Sequence, residues 1–167
     1  MNAKKLTQLA MLTGIALIIF VIELQIPNPF PIPGIKLGLA NIITVYAVYH
    51  YRAADVMMIV FCRIFLAAVF SGNMTTLAYS FAGSVLCLAG MFLLRHILDK
   101  KHIWIASVFG AILHNIGQIT IAVILMGTGI LVYLPFLMVC GCLAGTFTGW
   151  CAQLVSQRVM VPQMKLW

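Results

Sequence analysis

Six long apolar runs, separated by short turn-forming or charged stretches, leave few folds open to this chain. They cover residues 6–26, 35–49, 53–70, 74–94, 103–126 and 130–155. Between them stand PNPFPIPG at 27–34, HYRA at 50–53, SGN at 71–73, RHILDKKH at 95–102 and GTG at 127–129, rich in residues that interrupt regular structure. A helix needs roughly 20 apolar residues to cross the hydrocarbon core of a bilayer, and most of the runs reach that scale. Backbone groups in lipid must be satisfied within a helix or a closed barrel, and the alternation of barrel strands is absent. With 63% of its 167 residues hydrophobic and 8% charged, the chain lacks the polar surface of a water-soluble particle. A cytosolic enzyme and a receptor with an ectodomain are both excluded. The expectation is an all-α integral membrane protein, one transmembrane domain over residues 1–167 forming a six-helix bundle. The second run is short for a full crossing, so the proline-rich loop is expected to fold back over its start.

The positive charge sorts by side. With the amino terminus in the cytoplasm, Lys4, Lys5, Arg52, Arg95, Lys100, Lys101, Arg158 and Lys165 lie inside, and Lys36 lies outside, as the excess of basic residues on cytoplasmic loops demands. Both termini are therefore expected in the cytoplasm of a multi-pass protein of the bacterial cytoplasmic membrane. That topology accounts for the net charge of +7 without a nucleic-acid partner, the reading such a balance suggests in a soluble chain. The first apolar run is too long for a signal-peptide core and lacks a small-x-small cleavage site, so it reads as an uncleaved span. The five cysteines, Cys62, Cys87, Cys140, Cys142 and Cys151, fall inside apolar runs without CxxC or His/Cys spacing. They read as small packing residues rather than as a metal or redox site.

The tenth basic residue belongs to neither side. Arg63 lies near the middle of the third run, where an arginine costs about 2.5–3.5 kcal/mol even on a lenient insertion scale. It is either an anion-binding group or the structural partner of a carboxylate or of helix-end carbonyls. The acids are Glu23, Asp55 and Asp99, of which Glu23 is expected in the outer half. The fifth run carries His114, Asn115 and Gln118 in AILHNIGQIT, and the i,i+4 and i,i+3 spacings put them on one side of a helix. An interhelical hydrogen bond in a membrane contributes only about 0.6 kcal/mol on average, so three polar groups at one depth favour a ligand site over structural glue. No metal-ligand spacing accompanies them.

Depth draws these residues together. Lys36, Asn41, Arg63, Asn73, His114, Asn115, Gln118 and Glu23 are expected in the outer half under the proline-rich loop, above an inner half almost bare of polar groups. In such a pocket Lys36 and Arg63 would attract a negative group, and Asn41, Asn73, Asn115 and Gln118 would hydrogen-bond a polar ring or headgroup. The prolines at 27, 29, 31 and 33 would stiffen its lid. Small residues mark helix contacts as well. Gly141, Gly145 and Gly149 form a ridge for packing within the bundle, and Ala10 with Gly14 offers a face either for packing or for another protein.

The stretch IELQIPNPFPIPGIKLGLANIITVYAVY, the mid-span arginine in FCRIFLAAVFSG and the segment AILHNIGQ together resemble the Gx transporter family, also described as heptaprenyl diphosphate synthase component I. The resemblance covers nearly the whole chain, and PGIKLGLAN with HNIGQ is its most specific part. That family is similar to the substrate-binding S components of energy-coupling factor (ECF) transporters. The resemblance implies six helices with both termini inside, an outward-opening ligand pocket under an external loop, and an ATPase pair that supplies energy. It also implies docking of the first helix on a transmembrane coupling subunit. Ala10 and Gly14 stand at the docking positions, with glycine replacing the second alanine of the AxxxA pattern.

The synthase description meets a chemical objection. Prenyl diphosphate synthases hold Mg²⁺ through clustered aspartates, because a hard cation bridging diphosphate needs several carboxylate oxygens, and Asp55 and Asp99 are far apart in the chain. A GxxxxGK[ST] loop and a GxSxG elbow are both missing, and His114 has no acid on its helix. The expectation is a non-enzymatic subunit without cofactor or metal. It would capture a small anionic ligand resembling a vitamin, flavin, quinone precursor or isoprenoid. The alternative is a non-catalytic membrane partner in heptaprenyl diphosphate or quinone synthesis. A stand-alone channel would need polar residues along its whole path.

Overall fold

The apolar runs become helices in the computed structural model, which describes residues 3–26, 38–72, 74–98 and 102–158. Among these residues the α-helices are α1 (Ala3–Gln25), α2 (Asn41–His50), α3 (Ala53–Ser71), α4 (Met74–Arg95), α5 (Ile103–Met126) and α6 (Leu134–Arg158), with a 3-10 segment at Thr128–Tyr133 leading into α6. No strand occurs among the described residues. Gly72 ends α3 in the left-handed region at φ 62°, the conformation that closes many helices and that glycine adopts without a Cβ penalty.

Among the described residues five helical segments are long and apolar enough to cross a membrane. The exception is α2, whose 10 residues extend about 15 Å at 1.5 Å per residue, half of a hydrocarbon core about 30 Å thick. The six crossings expected from apolar runs thus become five helices of crossing length and one of half that length. The run at 35–49 spans Gly38, whose φ of 80° is incompatible with helix, so the apolar count overstates the helix that follows it.

This short helix occupies the centre. Seven of its residues, Asn41, Thr44, Val45, Tyr46, Ala47, Val48 and Tyr49, are buried, the last six of them consecutive, a run rather than a stripe. The cause is that α2 touches all five long helices, which contact one another in the order α1, α3, α4, α5, α6. Those five form an arc with α2 inside it. Large apolar side chains such as Ile18, Phe65, Phe70, Ile124, Val139 and Trp150 point outward, a surface suited to lipid and too extensive for water.

Glycine sets the spacing of α4, α5 and α6. A Cβ added at Gly117 on α5 would lie 2.6 Å from the Ala82 carbonyl oxygen and 2.7 Å from Gly83 Cα on α4. On the opposite side of α5, a Cβ at Gly145 would lie 2.8 Å from Val108 Cα, and one at Gly149 would lie 2.7 Å from Trp104 Cα. Backbones that approach this closely gain dispersion contacts that larger residues would prevent. Gly14 differs, since nothing lies within 4 Å of the place its Cβ would take. It lines an apolar groove of about 380 Å³ with Ala10 and Leu17 of α1 and Met58, Cys62 and Leu66 of α3.

Polar ties define one end of the bundle. Lys5 Nζ and Asp55 Oδ2, 2.7 Å apart, join the starts of α1 and α3. Arg95, in the last turn of α4, donates from Nη1 to the carbonyl oxygens of Val48 at 2.8 Å and Tyr51 at 3.3 Å, satisfying acceptors that the end of α2 leaves open. His50 Nε2 and Ser156 Oγ, 3.2 Å apart, link α2 to α6. Ser107 and Thr148 are bonded at 3.1 Å between α5 and α6. The half of the bundle nearer this basic end is therefore better supplied with polar groups than its sequence suggests. Each helix contributes only one or two of them, and no single segment shows the cluster.

Candidate functional site

The arginine that the sequence isolates is buried at 6% exposure, about 15 Å along α3 from its basic end. Its Nη1 and Nη2 both donate to Asn41 Oδ1, each at 3.3 Å. Charge-assisted bonds to a full anion are usually about 2.7–2.9 Å, so these are long. A guanidinium carries five N–H donors in a planar fork. Here two of them share one oxygen, and Asn41 does not saturate the fork.

Arg63 and Asn41 face a cavity of about 30 Å³, room for one or two waters. Its wall draws on five helices, with Phe20 and Glu23 from α1, Asn41 from α2, Ile64 and Ala67 beside Arg63 on α3, Ser80 from α4, and His114 and Gln118 from α5. Gln118 is 2% exposed, yet its Oε1 has no hydrogen-bond partner among the described residues. A buried polar atom left unsatisfied costs about 1–3 kcal/mol. A residue that carries such an atom on the cavity wall favours a polar occupant.

Local packing explains how the histidine is held. A Cβ on Gly83 would come within 2.8 Å of His114 Nδ1, so the ring is seated on a part of α4 where only glycine leaves room. A second space of about 10 Å³ lies deeper, against α6. It shares Gly38, Asn41 and His114 with the first and adds Ser107, Asn115 and Thr148. Glu23 is buried in the last turn of α1, and its Oε1 accepts the Gly38 N–H at 2.6 Å.

The cavity thus brings together Glu23, Asn41, Arg63, His114 and Gln118. Asn115 turns away from it, because neighbouring positions on a helix are about 100° apart. Its Nδ2 donates to the Leu137 carbonyl oxygen at 2.6 Å, a tie between α5 and α6. Lys36 and Asn73 lie outside the described residues. Ser80 was not singled out from the sequence. A lone serine in a largely apolar helix carries no signal until its neighbours across the bundle are known.

Among the described residues the carboxylates are not clustered as a Mg²⁺–diphosphate site requires. Asp55 is paired with Lys5 at the basic end, Glu23 lies about 30 Å along α1 from the start of that helix, and Asp99 is outside the described residues. Among the described residues no group of three His, Cys, Asp or Glu is arranged to hold a metal.

A family model described as heptaprenyl diphosphate synthase component I matches residues 12–155. Comparisons with curated proteins and with solved structures give no match.

Proposed function

The chain belongs to the heptaprenyl diphosphate synthase component I family, and from that premise we propose a non-enzymatic membrane subunit that captures a small anionic molecule at Arg63, in the manner of an ECF S component. The observation that carries the reading is the buried guanidinium on a polar cavity, held by two long bonds to one neutral oxygen. The ligand would set its negative group in the Arg63 fork and its polar ring or headgroup against Gln118, His114 and Ser80. Mass spectrometry of small molecules retained by gently purified protein tests this. Recovery of an oxyanion stoichiometric with protein is the expected result, and recovery of nothing but phospholipid would reject it.

The proposal includes a topology of six membrane segments, with α2 entering only part of the bilayer, and both termini in the cytoplasm of a bacterial cell. The gathering of Lys4, Lys5, Arg52, Arg95 and Arg158 at one end of the bundle supports it. Single cysteines at positions 2 and 164, on a background without the native thiols, are expected to resist membrane-impermeant reagents in whole cells. Strong external labelling at either position would reverse the orientation.

The groove between α1 and α3 is the proposed docking face for a transmembrane coupling subunit served by an ATPase pair. Its floor is made low by Ala10 and Gly14. Gly14→Leu fills open space within this chain and is expected to leave thermal stability within about 0.5 kcal/mol of the parent while reducing co-purified coupling subunit severalfold. Undiminished co-purification would remove the groove from the docking role. The family description favours a second reading, a membrane partner of a soluble prenyl diphosphate synthase. Capture of that synthase in place of an ATPase pair and coupling subunit would establish it.

A further inference from the structure

At about 30 Å³ the cavity is far below the roughly 300–1,000 Å³ of ordinary small-molecule sites, so loading it requires an opening, and the bonds along α2 indicate where. At the basic end α2 is anchored twice, by Arg95 on the carbonyl oxygens of Val48 and Tyr51 and by the contact of His50 with Ser156. Val45 to Tyr49 are also buried in the main apolar core. The other end is held differently. No side chain caps the start of α2, and cross-links to other helices there include Glu23 Oε1 with the Gly38 amide and Arg63 with Asn41 Oδ1. All four of these residues line the cavity.

The two bonds are unequal. A carboxylate accepting a backbone N–H at 2.6 Å is a short, charge-assisted contact, whereas Arg63 and Asn41 meet only at 3.3 Å. Gly38 lies at φ 80°, where the absence of a Cβ allows large dihedral changes at little steric cost. A short segment with a glycine pivot at its start and an anchored helix beyond it can move at the cost of the small apolar contact of Ala40 with Phe20 and Ala67, leaving the main core in place.

We propose that Glu23 is a latch. Its carboxylate, bonded to the Gly38 amide, holds the Gly38–Asn41 segment shut over the cavity, and release of that bond lets the segment move while the basic end of α2 stays in place. The purpose assigned to the opening, admission of a ligand, rests on the capture reading above, whereas the mechanics do not.

Hydrogen–deuterium exchange of the full chain in lipid nanodiscs, with no ligand added, tests the latch. Glu23→Ala is expected to speed exchange of the Gly38–Ile42 amides by about tenfold or more, the scale of one charge-assisted hydrogen bond. Exchange at Val45–Tyr49 should keep the parent's rate. Glu23→Gln retains an acceptor without the charge and should give a rise of about fivefold; it carries the test if the alanine variant does not fold. Parent-like exchange at Gly38–Ile42 in these variants would overturn the latch. So would a rise shared equally by Val45–Tyr49, because the whole bundle would then have loosened. Failure of the capture reading would show separately, as absence of a retained oxyanion with these exchange rates unaltered.

Discussion

Replacing Gly117 with leucine is expected to prevent assembly of a stable bundle. The Cβ alone would fall 2.6 Å from the Ala82 carbonyl oxygen, 2.7 Å from Gly83 Cα and 2.8 Å from the Ala82 carbonyl carbon, all backbone atoms that cannot rotate aside. Helix α4 would have to shift as a body. That shift would unseat His114 from Gly83 and open the contact between α4 and α5. A change forcing two packed backbones apart belongs among the rare substitutions that cost more than about 4 kcal/mol. In mild detergent the variant should lose monodisperse elution and a cooperative thermal transition, while Gly14→Leu, equal in added bulk, keeps both. A parent-like transition in Gly117→Leu would mean that α4 and α5 do not meet through these glycines.

Arg63→Gln is expected to remove most of the retained oxyanion and leave the protein folded. Glutamine can still bond to Asn41, and it relieves the burden of a charge held away from water. The ligand would lose a charge-assisted contact of about 1.5–3 kcal/mol, roughly a tenfold to hundredfold loss of affinity. Arg63→Lys should recover little of it, because a point charge on a flexible stem cannot reproduce the planar fork. Retained ligand per mole of protein, read by mass spectrometry beside thermal stability, checks both variants. If Arg63 serves instead to balance Glu23, Arg63→Gln should lower stability by stranding the acid, and adding Glu23→Gln should restore it. Restored stability in the double variant, with retention unchanged throughout, would take Arg63 out of the ligand site.

The two predictions are of unequal legibility in the sequence. Arg63 stands out at once, since a charge inside an apolar run needs a reason. Gly117 does not, because it is one of 13 glycines and its own helix would tolerate alanine. The HNIGQ segment illustrates both cases. His114 and Gln118 share a helix face and line one cavity, yet Asn115, assigned to the same side by its i,i+3 relation to Gln118, bonds across to Leu137 on α6. Sequence spacing limits a face to about a third of the helix circumference. Side-chain contacts decide within that arc.

The sequence by itself determined the membrane character of the chain, its helices and many of their ends. Lipid imposes the same demand on each segment separately, so apolar length and punctuation such as Gly72 act locally. It also isolated Arg63, Glu23, Asn41, His114 and Gln118 as residues needing partners. Only the tertiary structure decided that α2 is half-length and central, that Ser80 joins the cavity, and that Glu23 bonds the Gly38 amide. It likewise gathered Lys5, His50, Asp55, Arg95 and Ser156 at one end. In a water-soluble helix the polar face announces the outside. Here the lipid-facing and core-facing sides are both apolar, so the rotation and depth of each helix are set by contacts such as Gly117 against Gly83, which exist only between segments.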